Sequence, residues 1–491
     1  MRHVTVGGAA AGTLLIALTI APHLGAASAS KIPVSTSSEE ARQLYLKGRD
    51  LAEKLRATDA RKFYEQAAQK DPGFAMAYVG LANTSGTTKQ FIEATIKAVS
   101  LAGRASEGER HIVLALEAGM KNDPSGVLQH YTELVRLFPE DERAQTLLGN
   151  TYFGRQEYTA AIAHFVKATS INPSFSQPYN QLGYAYRFLE KYDEAERTFK
   201  KYTELLPDDP NPYDSYAELL MKRGRFDESI ASYKKALSID PNFVASYVGI
   251  GNDYLFMAKG DEARAAFSKI EAVARNTGEK RLAHFWKAAS YVHEGATDQA
   301  IAELKAEYAL AEAEHDGASM SGDLNQMGDV LREAGRIDDA SKMYAESLSA
   351  IDKADVPQSV KDATHRNDLF EQGRLALARN DVATAKARLS EYTSQIASRK
   401  APFALRQQHE LAGMIALAEK RGSVAMQELK QANWQDPRVI YLASMAARQS
   451  GDTQTAAALA GKAAKYNGLA FNYGYVRSKA LKEVVGTGAA Q

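Results

Sequence analysis

The sequence predicts an all-α fold in which pairs of helices stack into one elongated array. With 491 residues, the chain is too long for one ordinary globular core, so several domains or a repeat array are expected. An internal repeat favours the array, because prolines recur with a period of 34 residues. They are Pro139, Pro173, Pro207 and Pro241.

Small and aromatic residues recur in register between these prolines. The first helix of each pair carries a small residue, at Gly149, Gly183, Ala217 and Gly251, and the second carries an aromatic one, at Phe165, Phe199, Tyr233 and Phe267. We expect helix backbones to approach closely at Gly183 and Ala195, and Phe199 to fill the space between units. Each proline ends a second helix because it lacks an N–H and clashes with the preceding turn. Asp193, with Glu196 three residues later, predicts a capping box for that helix.

The pattern continues in both directions with less regularity, and about twelve units cover residues 41–467. The recurring small, aromatic and proline positions resemble those of the tetratricopeptide repeat, a helix–turn–helix unit of the same period. The resemblance implies a right-handed superhelical α-solenoid whose first helices line a concave groove for extended peptides or partner helices. Stretches such as ARQLYLKGRDLAEK, from Ala41, also resemble repeat arrays of bacterial regulatory kinases and transcription regulators. The sequence shows no catalytic or DNA-binding domain beside the repeats.

The N-terminus predicts export from a bacterial cell. Arg2 is followed by an uncharged, mostly apolar run from Val4 to about Ala21, and Ala27 and Ala29 form the small-x-small pattern of a signal-peptidase site. We therefore expect cleavage near Ala29 and a periplasmic or secreted protein. The apolar run is also just long enough to span a bilayer, so a membrane-anchored assembly factor with a retained N-terminal helix is the alternative.

These patterns divide the chain into an array and short flanking segments. The predicted segments are a signal peptide at 1–29, a flexible linker at 30–40, a regular tetratricopeptide array at 41–280, a degenerate array at 281–467, a capping helix at 468–485 and a disordered tail at 486–491. The capping helix is expected to cover the end of the stack.

Composition and motifs argue against catalysis. Lysine plus arginine and aspartate plus glutamate both number 60, and the resulting zero net charge disfavours nucleic-acid binding. The absence of cysteine excludes disulfides, thiolate metal sites and cysteine nucleophiles. The sequence contains no Walker A, His-Glu-x-x-His or Gly-x-Ser-x-Gly motif, so no cofactor or metal is expected. An enzyme hidden in the looser repeats, from about residue 281 onward, is the disfavoured alternative.

The candidates for function lie on the first helices, outside the packing columns, and combine amide, aromatic and charged groups that suit peptide recognition. They are Asn150, Phe153, Asn180, Tyr184, Arg187, Phe188, Asp214, Glu218, Asn252 and Phe256. A solvated or interhelix position is the alternative for each. Some tetratricopeptide proteins clamp a C-terminal carboxylate, but here Thr146 replaces the clamp's lysine, so that ligand is not expected. The predicted function is a non-catalytic scaffold for a protein or peptide partner, with membrane contact only if the N-terminal helix is retained.

Overall fold

The computed structural model describes residues 31–397 and 401–486. Within these ranges the chain forms 25 α-helices and no β-strand, and the helices stack as a solenoid of antiparallel pairs. The predicted all-α solenoid is therefore confirmed. No helix in the described ranges is long and apolar enough to cross a membrane. The predicted signal peptide at 1–29 lies outside the described residues, as does the predicted tail at 486–491 apart from Gly486, which ends the last helix.

Twelve helical hairpins make up the array, and the odd-numbered helix is the first of each pair. Units 1 to 4 comprise α1 (Glu39–Glu53) and α2 (Ala57–Lys70), α3 (Ala75–Asn83) and α4 (Thr88–Ser100), α5 (Glu107–Met120) and α6 (Pro124–Leu137), and α7 (Glu142–Gly154) and α8 (Tyr158–Ile171). Units 5 to 8 comprise α9 (Gln177–Phe188) and α10 (Tyr192–Leu205), α11 (Pro210–Lys222) and α12 (Phe226–Ile239), α13 (Val244–Phe256) and α14 (Gly260–Val273), and α15 (Thr277–Glu294) and α16 (Thr297–Ala313).

The remaining hairpins contain several of the longest helices of the described chain. Units 9 to 12 comprise α17 (Gly317–Glu333) and α18 (Ile337–Lys353), α19 (Gln358–Ala378) and α20 (Val382–Ile396), α21 (Pro402–Ala418) and α22 (Gly422–Leu429), and α23 (Pro437–Gln449) and α24 (Thr453–Ala464). A last helix, α25 (Tyr473–Gly486), follows the twelfth hairpin.

One residue in the left-handed conformation sets the turn within each regular hairpin. Gln156, Glu190, Gly224 and Ala258 occupy this position, with φ of 61°, 58°, 75° and 59°. In unit 5 the next residue, Lys191, accepts the N–H of Ala195 at 3.0 Å and donates its own N–H to the carbonyl of Tyr186 at 2.9 Å. The predicted Asp193 cap is wrong, because Asp193 already lies inside α10, which has no side-chain cap. Backbone hydrogen bonds around the left-handed residue cap the helices instead.

The small residue in the first helix of each unit makes room for an aromatic ring rather than for a helix backbone. A Cβ atom added at Gly183 would come within 2.6 Å of Cε1 of Phe199, the fully buried ring in the second helix of the same unit. The same relationship recurs between Gly149 and Phe165, Gly251 and Phe267, and Gly328 and Tyr344. The close approach of two backbones expected at Gly183 is therefore replaced by a close approach of one backbone and one ring.

The repeat prolines lie directly after the second helices, as predicted. The carbonyl of Pro139 accepts a hydrogen bond from Nε2 of Gln145 at 2.9 Å. The carbonyls of the other three prolines each accept one from a tyrosine of the next first helix. These pairs are Tyr179 with Pro173 at 3.1 Å, Tyr213 with Pro207 at 3.0 Å and Tyr247 with Pro241 at 3.1 Å. The tyrosine hydroxyl thus links consecutive units.

The solenoid turns back on itself, so that units far apart in the sequence touch. Thr58 at the start of α2 donates through Oγ1 to Oε1 of Glu279 in α15 at 3.0 Å. Arg406 in α21 donates through Nη2 to the carbonyl of Arg155, which follows α7, at 2.5 Å. Further bonds join α4 of unit 2 to the start of α17 in unit 9. Gln156 of unit 4 bonds to Asn433, and Lys462 of unit 12 pairs with Glu190 of unit 5.

The last helix enters the inner side of this turn. It packs against α23 and α24 and also against α15 of unit 8. Phe471 and Tyr473 belong to the same apolar core as Phe256 and Trp286. The C-terminal helix, predicted over 468–485, therefore covers the inner surface of units 7 and 8 as well as the end of the stack.

Residues 31–38, which the sequence assigned to a flexible linker over 30–40, are bound to units 3 and 4. The N–H of Ile32 donates to Oδ2 of Asp141 at 2.9 Å, and the N–H of Ser35 donates to Oε1 of Glu109 at 3.0 Å. The two carboxylates are buried at the starts of α5 and α7, and they accept the backbone N–H groups of the segment. Helix α1 begins at Glu39. The linker prediction is wrong for these residues, since acidic groups two repeats away hold them.

Candidate functional site

The ten residues predicted to line a groove lie together on the first helices of units 4 to 7. Four of them are buried: Asn180, Asp214, Asn252 and Phe256. The other six are half-buried: Asn150, Phe153, Tyr184, Arg187, Phe188 and Glu218. The structure thus brings the predicted set onto one surface, but most of its polar groups face other protein groups.

Tyr184, Arg187 and Glu218 form a cluster between α9 and α11. Nη1 of Arg187 donates to Oε2 of Glu218 at 3.0 Å, and the guanidinium lies 4.7 Å from the ring centroid of Tyr184. Burial, and after it the charge of Glu218, raises the pKa of Tyr184 well above its usual value, so the phenol stays neutral. The same guanidinium lies 5.0 Å from the ring of Phe188. The cluster therefore satisfies its own charges and holds two first helices together.

Asp214 and Asn252 also form hydrogen bonds with other groups of the repeat array. Oγ of Ser246 donates to Oδ1 of Asp214 at 2.7 Å, and Nδ2 of Asn252 donates to the carbonyl of Val248 at 2.9 Å. Burial, with a smaller contribution from Glu218, raises the pKa of Asp214 to about 8. This carboxyl is therefore mostly protonated at neutral pH, as expected for a buried acid without a cationic partner.

The C-terminal segment covers the same surface. Nζ of Lys222, at the end of α11, donates to the carbonyl of Tyr466 at 2.5 Å and lies 3.9 Å from the centroid of its ring. Nη2 of Arg477 in α25 donates to the carbonyl of Phe256 at 2.6 Å. The inner surface of units 6 and 7 is consequently occupied by the chain itself.

An open groove lies on the first helices of units 1 to 4. It encloses about 550 Å³, within the size range of ligand sites. Its apolar floor is formed by Met76 and Val79 of α3, Ile112 of α5 and Leu147 of α7. The buried phenol of Tyr45 in α1 also lines it, and burial raises the pKa of this group to about 12, so it remains a neutral donor.

The wall of the open groove is polar. Arg143 of α7 donates to Glu53 of α1 through Nε at 2.7 Å and through Nη2 at 3.1 Å. Arg49, one turn before Glu53, lies 3.8 Å from the same carboxylate. The amide of Asn83 is exposed at the end of α3. The groove therefore presents a bidentate ion pair, a second guanidinium and an amide above an apolar floor.

One edge of the open groove is formed by the segment 31–34. Lys31 forms an ion pair with Glu142 and donates to the carbonyl of Glu140 at 3.0 Å. Glu109 binds this segment through both carboxylate oxygens, since it accepts the N–H and the hydroxyl of Ser35. The same carboxylate accepts the N–H of Ser106 at 3.1 Å and completes a capping box at the start of α5.

The carboxylates that line the groove are paired with other groups of the protein. Among these carboxylates, Glu53 is held by two guanidinium groups. Within the described ranges, no three His, Asp or Glu side chains are placed to hold a metal ion. An apolar floor with amide and guanidinium groups above it matches the anatomy of a peptide-binding surface.

The candidate set used one repeat position, that of Asn150, but did not extend it to units 1 and 2. Arg49, Asn83 and Asn150 each directly follow the small position of their unit, at Gly48, Ala82 and Gly149. A residue in this column faces the inner side of the turn, because it lies next to the position that contacts the second helix. Extending the Asn150 column to units 1 and 2 would have pointed to the open groove.

Comparisons with known proteins agree with the repeat. Tetratricopeptide-repeat models match residues 149–189 and 217–255, residues 176–209 and residues 248–315. These matches show that the chain contains tetratricopeptide repeats. Proteins of this family are generally non-catalytic scaffolds for protein–protein interaction. The matched residues lie in units 4 to 8, and most of the open groove precedes them.

Solved tetratricopeptide-repeat structures are similar to parts of the chain. A protein from Parabacteroides merdae ATCC 43184 is 18% identical and covers 56% of this chain and 94% of its own, with a TM-score of 0.36. MamA from Desulfovibrio magneticus RS-1 is 16% identical and covers 35% and 97%, with a TM-score of 0.29. A second MamA structure is 24% identical and covers 32% and 91%, with a TM-score of 0.28. No curated protein matches the sequence.

Proposed function

We propose that this tetratricopeptide-repeat protein is a non-catalytic scaffold that holds an extended segment of a partner protein in the open groove of units 1 to 4. The observation that carries the proposal is the contrast between two parts of one inner surface. Units 6 and 7 are covered by Tyr466 and Arg477, whereas a cavity of about 550 Å³ remains on units 1 to 4.

The chemistry of the open groove favours an extended peptide with an apolar side chain. Met76, Ile112 and Leu147 supply the apolar surface for that side chain. The amide of Asn83 carries donors and an acceptor, so it can pair with both the N–H and the carbonyl of a peptide unit. An extended segment leaves those groups free, whereas a helix uses them internally.

Site-directed cross-linking tests this proposal with little background, because the chain contains no cysteine. Asn83→Cys places a single thiol at the exposed wall of the groove, where a maleimide–benzophenone reagent can be attached. Val166→Cys is the matched control, since Val166 is 45% exposed on a second helix outside the groove. We expect adducts with a partner from the Asn83→Cys protein and none from the Val166→Cys protein, with the linked peptide identified by mass spectrometry.

A substitution in the floor of the groove tests the site further. Met76→Glu buries a charge in the floor of the groove. When it is combined with Asn83→Cys, it is expected to abolish the adduct while the helical circular dichroism is retained. Equal adducts from the Asn83→Cys and Val166→Cys proteins contradict the assignment of the groove, as do adducts that persist after Met76→Glu is added.

The proposed scaffold acts outside the cytoplasm of a bacterial cell, in the periplasm or after secretion. The support for this part is the signal-like N-terminal sequence around Ala27 and Ala29. N-terminal sequencing of the exported protein tests it. A chain that starts near Ser30 is the expected result, whereas an intact N-terminus in the membrane fraction favours the anchored assembly factor.

A further inference from the structure

The second inner surface is covered by residues 466–486, here called the C-terminal plug. Tyr473 is fully buried, and its ring centroid lies 5.4 Å from that of Phe256 and 5.7 Å from that of His293. Phe471 lies 4.9 Å from Phe285 in the same way. The plug therefore inserts aromatic anchors between the first helices of units 7 and 8, as a partner protein does at an interface centre.

The polar contacts of the plug are also those of a docked segment. Phe256 is the last residue of α13, and its carbonyl is one of the four that a helix C-terminus leaves without an internal partner. Arg477 satisfies that carbonyl and brings a positive charge to the negative end of the helix. In the opposite sense, Lys222 of the array donates a hydrogen bond to a carbonyl of the plug, that of Tyr466.

The plug lies outside the repeat that builds the array. The twelve hairpins end at Ala464, and within the described residues no second helix follows α25. The connection between them includes Asn467, with a φ of 43°, followed by Gly468. Lys222 is half-buried beneath this connection, and desolvation, followed by the charge of Arg187, lowers its pKa to about 7. Its hydrogen-bond partner, the carbonyl of Tyr466, comes from the plug.

We propose that the surface beneath the C-terminal plug is a second partner-binding surface, and that it accepts a helix carrying an aromatic residue followed four positions later by arginine. Tyr473 and Arg477 have this spacing, which places both on one face of α25. The plug is then the tethered occupant, and a partner helix of the same pattern takes its place. This proposal rests on the scaffold function but concerns a different surface from the open groove.

The test uses the full chain and changes the plug, leaving the surface beneath it intact. Tyr473→Ala combined with Arg477→Ala removes both anchors, and Lys482→Ala, at an exposed position of the same helix, is the matched control. The probe is a fluorescein-labelled peptide with the unaltered sequence of residues 466–486, followed by anisotropy. We expect the double variant to bind this peptide at least tenfold more tightly than the unaltered chain and the Lys482→Ala chain.

A second peptide that carries alanine at both anchor positions tests the recognition pattern, and we expect it to bind none of the three chains. Equal affinity of all three chains for the unaltered peptide overturns the proposal, as does equal binding of the two peptides. If the double variant loses its helical circular dichroism, Arg477→Met alone replaces it, and the same comparison decides. Light scattering that detects dimers with exchanged plugs identifies a second copy as the occupant and overturns the assignment to another protein.

The cross-linking and peptide-binding measurements test the two proposals independently. Cross-linking from Asn83→Cys reports only on the open groove of units 1 to 4. Loss of that adduct contradicts the proposed function, whereas loss of peptide binding with the adduct retained contradicts only the second surface.

Discussion

Arg143 and Glu53 form a bidentate ion pair across the open groove, although 90 residues separate them in the sequence. Their side chains are 31% and 16% exposed, so the pair is partly shielded from solvent. Because Arg143 belongs to unit 4 and Glu53 to unit 1, the pair closes the groove over two intervening units. A change in the curvature of units 1 to 4 would therefore change both this ion pair and the shape of the groove.

Arg143→Ala is expected to lower the free energy of unfolding by about 1–3 kcal/mol, since it leaves a half-buried carboxylate with only the more distant Arg49. Urea denaturation of Arg143→Ala, Glu53→Ala and the double variant measures the pair as a double-mutant cycle. We expect a favourable coupling energy, and we expect each single variant to weaken the cross-link formed from Asn83→Cys. Additive losses would show that the pair contributes nothing to stability.

Gly183→Ala is expected to destabilise the array by about 1–3 kcal/mol, because the new Cβ would lie 2.6 Å from the buried ring of Phe199. Gly154→Ala is the matched control. Gly154 is the last residue of α7, and nothing lies within 4 Å of a Cβ added there. Thermal unfolding compares the two, and Gly183→Leu should lower the midpoint further. A Gly183→Ala midpoint equal to that of the unaltered protein would refute the packing role of this column.

The repeat pattern predicted the helices well because their packing is local. Gly183 and Phe199 belong to one hairpin, and their spacing is visible in a single 34-residue period. The covering of units 6 and 7 could not be predicted in this way. Lys222 meets Tyr466 across 244 residues, and that contact depends on how many units complete one turn of the superhelix. No local pattern of residues encodes the number of units per turn, so the candidates on units 6 and 7 lie on helices that the chain itself covers.

Capping was predicted less well than packing, for a similar physical reason. Asp193 has the chemistry of a cap, but Glu190 adopts a left-handed conformation without being glycine or asparagine. Backbone hydrogen bonds of the turn between α9 and α10 hold that conformation, and they override the residue preference.

The stability of the protein is expected to depend on pH through Asp214. Burial raises its folded-state pKa to about 8, above that of an aspartate in the unfolded chain, so the folded state binds the proton more tightly. The stabilisation is fully present below the unfolded pKa near 4 and is lost as the pH rises through 8. We expect the free energy of unfolding to fall between pH 5 and pH 9.

Asp214→Asn should reduce this slope, because the amide keeps the hydrogen bond from Ser246 and carries no charge. Part of the slope should remain, since burial also raises the pKa of Asp253 to about 8. Urea denaturation across the pH range measures both proteins, with Asp208→Asn at an exposed position as the control. A variant whose slope equals that of the unaltered protein would exclude Asp214 as the titrating group.

Glu109→Gln is expected to release the N-terminal segment 31–38 without unfolding the array. The carboxylate accepts hydrogen bonds from the N–H and hydroxyl of Ser35 and from the N–H of Ser106, whereas an amide offers one oxygen for these donors. Glu107→Gln, at an exposed position of the same helix, is the matched control. Hydrogen exchange of the amides of Ile32 and Ser35 should rise at least tenfold in Glu109→Gln only. If exchange is unchanged while circular dichroism stays native, the segment is held by Asp141 and Lys31 rather than by Glu109.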